Sequence, residues 1–181
     1  VQTIMRDFPD YVPNTYLQYY LYPEQVVARL DTDHTRTEEV KNGREKRVFA
    51  QCKQAVQQGT TQGLTIAKSE AHADMIVDVA SSIACDKVET FIMITRNNDT
   101  VSNFHENAMV ETVAHVGKDG VTAVPFGQID MFMKGLMEGQ YAYECLTVDS
   151  YFEGSYKKAL QALTLNRTLV DAKKARAVLD D

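Results

Sequence analysis

Only residues 90–95, 109–116 and 121–124 read as β-type runs; elsewhere the apolar residues recur at the three-and-four spacing of helices. This imbalance limits the sheet to a few short strands and leaves helices to close the core. The expected class is α+β, mainly helical, with a small mixed or antiparallel sheet. Residues 90–95 are apolar at consecutive positions, the pattern of a strand buried on both faces. They run into Arg96-Asn97-Asn98-Asp99, a turn composition. Residues 109–116 and 121–124 flank Lys118-Asp119-Gly120 and read as a hairpin. Helices are expected at 36–58, 71–86, 129–151, 155–165 and from an Asp171 cap to Leu179. Thr35 and Glu38 form a T-x-x-E capping box ahead of the first. Its stripe of Val48, Phe49, Cys52 and Val56 is expected to face the core, as are Met75, Val79 and Ile83 on the second. On the third, Phe132, Leu136, Tyr143 and Leu146 should point inward. Pro9, Pro13 and Pro23 make the opening an irregular segment with a short helical turn.

Composition narrows the function. A length of 181 residues suits one domain, or one with a small appendage. The net charge of −6 argues against a general nucleic-acid binder. No run of about 20 apolar residues is present, so no membrane partner is expected, and the first ten residues lack the apolar core of a secretion signal. Cys52, Cys85 and Cys145 form no C-x-x-C pair and read as small buried core residues in a reducing cytoplasm. His34, His72, His105 and His115 show no metal-ligand spacing. None of the nine glycines forms a G-x-G-x-x-G or P-loop pattern, so the chain carries no dinucleotide loop. It also lacks an initial Met and reads as a piece of something longer.

Three features could carry chemistry. Four tyrosines, Tyr16, Tyr19, Tyr20 and Tyr22, fall within seven residues. They could form an aromatic wedge with a partner for each hydroxyl, or one could be a phenolic acid or base. A free phenol has a pKa of about 10, so a base near neutrality needs a cation beside it. Arg36 stands at the first turn of a helix, where its charge opposes the macrodipole. It could pair with Asp33, Glu38 or Glu39, or bind a phosphate or polar sugar. The basic stretch of Lys41, Arg44, Lys46, Arg47 and Lys53 reads as a solvated helix face.

The segment from Asn14-Thr15-Tyr16-Leu17-Gln18 to Tyr22-Pro23, followed by His34-Thr35-Arg36 and Gly43-Arg44-Glu45, resembles family 4 of the glycoside hydrolases in its 6-phospho-α-glucosidase branch. Ala71-His72-Ala73, Asn97-Asn98, Asn103-Phe104, Ala108-Met109-Val110-Glu111 and Lys134-Gly135-Leu136-Met137 extend the resemblance over essentially the whole chain, as the C-terminal part of such an enzyme.

The resemblance implies a lactate/malate dehydrogenase-like C-terminal domain over residues 1–181, with the NAD-binding Rossmann domain absent. It implies NAD and Mn2+, or another divalent metal, in the full-length enzyme, and none bound by this fragment alone. The family reaction transiently oxidises the sugar C3 hydroxyl, removes the C2 proton, expels the leaving group, adds water and reduces the ketone; it is an exception to the two-carboxylate scheme. The family's base falls on Tyr16 and a substrate-contacting arginine on Arg36, while Asn14 and Gln18 would line the sugar site. The family's metal ligands and the acid for the leaving group fall outside this chain. The implied substrate is a phosphorylated disaccharide such as maltose 6′-phosphate, acted on in the cytoplasm by a homo-oligomer; the isolated chain is expected to be inactive. A 6-phospho-β-glucosidase of the same family, a 2-hydroxyacid dehydrogenase substrate domain and a non-catalytic oligomerisation remnant stand as alternatives.

Overall fold

The computed structural model describes residues 2–65, 71–169 and 171–181. They fall into two compact units, one of residues 1–30 with 129–181 and one of residues 31–128. The class is α+β, mainly helical, with one three-stranded antiparallel sheet.

The first unit holds α1 (Gln2–Asp7), α2 (Leu17–Leu21), α3 (Pro23–Val27), α7 (Met131–Glu153), α8 (Tyr156–Leu165) and α9 (Ala172–Asp180). Its opening is short helices, because Pro9 and Pro13 break any longer one and Pro23 occupies the first helical position of α3. Asp130 begins α7 by accepting from the backbone N–H groups of Phe132 (2.8 Å) and Met133 (3.1 Å). Ser155 accepts from Lys158 N–H to start α8, and Asp171 from Lys174 N–H to start α9. Phe8 stacks on Phe132 with ring centroids 5.2 Å apart, tying the opening to α7. Even so Phe132 remains exposed, while Leu136, Tyr143 and Leu146 are half-buried. Lys158 Nζ donates to Asp149 (2.8 Å) and Glu153 (2.6 Å), and the Tyr156 hydroxyl donates to Asp180 (2.6 Å), so α8 is pinned to both neighbours.

The second unit holds α4 (Arg36–Glu38), a π-helical segment Glu39–Arg44, α5 (Glu45–Gln58), α6 (Ala71–Ala84) and strands β1 (Glu89–Arg96), β2 (Met109–Gly117) and β3 (Gly120–Ala123). The expected helix over 36–58 thus forms, with one widened stretch in which Glu45 N–H donates to Val40 C=O. The capping box is half made. Thr35 Oγ1 accepts from Glu38 N–H (3.2 Å), but the Glu38 carboxylate turns to Asn42. Gly59 ends α5 at φ 67°, in the left-handed region. The hairpin forms as read, with Gly117 opposite Gly120 across Lys118-Asp119; Gly120 sits at φ 114°, a region closed to most side chains. Helix α6 covers one sheet face, where the buried Ser82 hydroxyl lies 2.6 Å from Lys87 C=O and 3.1 Å from Val116 C=O.

Besides Phe132, four expectations about burial fail, the first being that the Met75 and Ile83 face of α6 is covered: both side chains are exposed. β1 alternates rather than being buried on both sides: Ile92 and Ile94 are 61% and 65% exposed on the face opposite α6. The α5 stripe is open, with Phe49 and Val56 at 66% and 83%. Cys52, Cys85 and Cys145 are all exposed free thiols. The common cause is that apolar periodicity records which face prefers burial, not whether this chain supplies the cover. Among the described residues the buried apolar ones are few: Ile4, Ala162 and Ala175 in one unit, and Val101, Ala108, Val110, Ala114 and Val116 in the other.

Candidate functional site

The aromatic segment divides the roles of its tyrosines. Asn14 Oδ1 accepts from the backbone N–H groups of Tyr16 (2.9 Å) and Leu17 (3.1 Å), which closes the turn into α2. Gln18 Nε2 donates to Thr15 C=O (2.9 Å) across the same turn. Both residues read as sugar-lining candidates therefore already hold the backbone that carries Tyr16. Arg167 Nε donates to Tyr20 C=O (2.7 Å), anchoring α2 to the segment after α8. The Tyr22 hydroxyl donates to Asp7 (2.8 Å). Partial desolvation, with that hydrogen bond, raises the Tyr22 pKa above its ordinary value, and Asp7 is held below its own by Arg6 and then by Tyr22. Tyr16 differs: it is 69% exposed, its ring lies beside Tyr19 at 6.4 Å, and its hydroxyl has no hydrogen-bond partner among the described residues. A wedge with every hydroxyl satisfied is not what forms. Of the four hydroxyls only that of Tyr22 has a hydrogen-bond partner among the described residues, and Tyr16 is the most exposed, on a backbone held by Asn14.

In the second unit Arg36 follows the Thr35 cap directly. Its guanidinium pairs with Glu39, one of the partners anticipated for it. That hydrogen bond is the main reason the Glu39 carboxyl lies below its ordinary pKa, with Arg44 and Arg47 adding to it. Arg36 also lines a shallow surface hollow with Thr37, Val40, Lys41 and Glu45. The basic residues of this stretch are exposed, as a solvated face requires. Just ahead, His34 Nδ1 lies 2.8 Å from Asp31 Oδ2, which lowers the Asp31 pKa. This pair was not singled out from the sequence; a histidine three residues after an aspartate in a turn is its only signal.

A second feature missed in the sequence is Asn97, which is fully buried. Its Oδ1 accepts from Val101 N–H (2.7 Å), and its Nδ2 donates to Val101 C=O (2.9 Å) and His105 C=O (3.2 Å). One side chain thereby organises the loop between β1 and β2. Among the described residues no group of three or more His, Cys, Asp or Glu could hold a metal ion. Likewise, no described helix is long and apolar enough to cross a membrane.

Comparison with known proteins gives a consistent set of likenesses. The profile described as "Family 4 glycosyl hydrolase C-terminal domain" matches residues 1–169. Phospho-α-glucosidase PagL of Clostridium acetobutylicum is 43% identical over 98% of this chain and 41% of its own length. A 6-phospho-α-glucosidase from gut microorganisms, solved in complex with NAD and Mn2+, superposes with a TM-score of 0.89 at 47% identity, over 99% of this chain and 41% of that one. Another from gut microorganisms, in complex with NAD and glucose-6-phosphate, gives a TM-score of 0.88 at 40% identity, over 99% of this chain and 40% of that one. The chain thus spans about two fifths of the length of the proteins it matches.

Proposed function

Since this chain belongs to the family 4 glycosyl hydrolases, matching their C-terminal domain, we propose that it is the substrate and proton-transfer domain of an NAD- and divalent-metal-dependent 6-phospho-α-glucosidase. One observation carries the reading: identity of 43–47% over nearly the whole chain, to proteins named as phospho-α-glucosidases. Residues 1–181 form the C-terminal domain, and a Rossmann domain is a separate part of the complete enzyme. Among the described residues no group of three or more His, Cys, Asp or Glu is placed to hold a metal ion, and the sequence has no Gly-rich dinucleotide loop. The cofactors belong with the remainder of the enzyme.

The substrate is a phosphorylated disaccharide such as maltose 6′-phosphate. Tyr16 takes the proton from sugar C2. Its support is its exposure, its unengaged hydroxyl and the backbone clamp from Asn14. A phenol acting near neutrality needs its phenolate favoured by a cation, which the rest of the enzyme supplies. Arg36 contacts the phosphosugar, with the hollow beside it as the contact surface. Asn14 acts first as the clamp of Tyr16 and, through its amide NH2, as a sugar contact. The enzyme works in the cytoplasm as a homo-oligomer; the uncovered faces of β1 and α5 support association.

Two measurements test this. In the complete enzyme, Tyr16→Phe should abolish exchange of the C2 proton with solvent deuterium while leaving phosphosugar binding within a few-fold; retained exchange removes Tyr16 as the base. The 181-residue chain incubated with NAD, Mn2+ and p-nitrophenyl 6-phospho-α-glucoside should release no p-nitrophenol, because a redox step cannot proceed without a site for its acceptor. Turnover would show that the chain is sufficient. If the complete enzyme prefers the β-anomer of that substrate, the β-glucosidase branch of the family is the correct one.

A further inference from the structure

The sheet has one face under α6 and one bare face, and register arranges the bare one in rows. The middle row is Ile92 opposite Val113, continued by Val124, whose N–H donates to Val113 C=O (2.8 Å). On one side lies the row of Ile94 and Glu111, and on the other the row of Thr90, His115 and Thr122. Arg96 and Met109 follow beyond Ile94. Ile92, Ile94, Met109 and Val113 are all exposed.

The polar groups of this face differ in what they have left to offer. Arg96 is engaged by Glu106 and Asn107. Thr90 Oγ1 lies 3.0 Å from His115 Nδ1, and a hydroxyl donating there puts the ring proton on Nε2, free for a further partner. Glu111 is exposed and makes no hydrogen bond or ion pair among the described residues. An acceptor and a donor thus stand two residues to either side of Val113 on one strand. They do not reach each other, since four residues of extended chain span about 14 Å.

That spacing is self-complementary. A two-fold axis along the Ile92–Val113–Val124 row, between two such sheets packed face to face, sets each Glu111 against His115 of the other copy. It also sets each Ile94 against the Thr90 methyl and each middle row against its own equivalent. Strand directions are then aligned, as in stacked sheets generally. An unlike surface would require no such balance about one row.

We propose that the bare sheet face is a docking surface for a second copy of this chain, closed by two Glu111–His115 pairs about that axis. This gives a surface and a symmetry to the homo-oligomer reading above and stands independently of the reaction. Three strands, the first of eight residues, present a plan of about 27 by 14 Å, on the order of 400 Å2 per copy. A tight complex buries about 800 Å2 per partner, so this pair is weak and concentration-dependent.

The test is sedimentation velocity of the 181-residue chain from low to high micromolar concentration, where it should pass reversibly from monomer to dimer. Glu111→Lys sets lysine against imidazole, and His115→Glu sets carboxylate against carboxylate. Each should weaken dimerisation at least ten-fold, as like-charge juxtaposition does. The two substitutions together should restore it to within about three-fold, because Lys and Glu then meet across the axis and nowhere within one chain. Ile92→Lys, on the axis itself, meets its own equivalent and should abolish the dimer. Unchanged far-UV circular dichroism checks the folding of each variant. A chain monomeric throughout overturns the proposal, as does a double variant no better than the single ones. A dimer indifferent to all these substitutions associates through another surface, which overturns this face and leaves the homo-oligomer reading standing.

Discussion

At the scale of single residues, the separation of tasks along the first 22 positions is the main structural result. Tyr22 spends its hydroxyl on Asp7, whereas Tyr16 leaves its own unengaged. Four similar tyrosines in sequence cannot be told apart, because the one hydroxyl partner, Asp7, lies 15 residues from Tyr22 and is brought to it only by the fold of the opening segment. Asn14 also carries a backbone role that spacing did not reveal. Asn14→Ala should lose the acceptor for two N–H groups and cost about 1 kcal/mol, a fall of roughly 2–4 °C in thermal midpoint. Asn14→Asp keeps the acceptor and should hold the midpoint within about 1 °C. If Asn14 also contacts sugar through its NH2, Asn14→Asp raises KM in the complete enzyme despite that normal stability; an unchanged KM leaves Asn14 with the backbone role alone.

At the scale of elements, caps were the most legible feature. Thr35, Asp130, Ser155 and Asp171 all accept from backbone N–H groups at the starts of their helices. Such signals are local, so a one-dimensional reading reaches them. Thr35 and Asp171 were read directly, and the two helices after Asp130 and Ser155 were placed within two residues. The Asp130 carboxyl lies below its ordinary pKa, first because of Met133 N–H and also through Tyr11. A carboxylate with a lowered folded-state pKa contributes stability that is fully present above the unfolded value, about 3.9. That stability is lost as pH falls through the folded value. The urea midpoint should therefore drop on acidification below about pH 4, and Asp130→Asn, which retains a cap but cannot titrate, should show a shallower drop. Equal slopes for the two proteins would show that Asp130 is not linked to folding. The π-helical segment Glu39–Arg44 was not legible: the preceding T-x-x-E box and the following apolar period are both in phase with an ordinary helix.

At the scale of the whole molecule, the uncovered apolar faces dominate. Ile92, Ile94, Met109 and Val113 share the sheet face opposite α6, and Val48, Phe49 and Val56 lie open on α5. Contiguous apolar surface of this kind is unusual on a self-sufficient monomer. The native chain should bind the dye ANS, and replacing both Ile92 and Ile94 by Thr should reduce the fluorescence without lowering the thermal midpoint. Fluorescence unchanged by the pair would place the dye elsewhere. The amino-acid sequence by itself determined the fold class, the order of helices and strands, the hairpin, the caps and the family, because each rests on neighbours in the chain or on motif identity. Tertiary structure alone decided that Tyr22 is the tyrosine whose hydroxyl is engaged, that Asn97 organises its loop, and which apolar stripes find cover. Those outcomes depend on surfaces brought together from distant positions, and periodicity states a preference for burial without naming the surface that satisfies it.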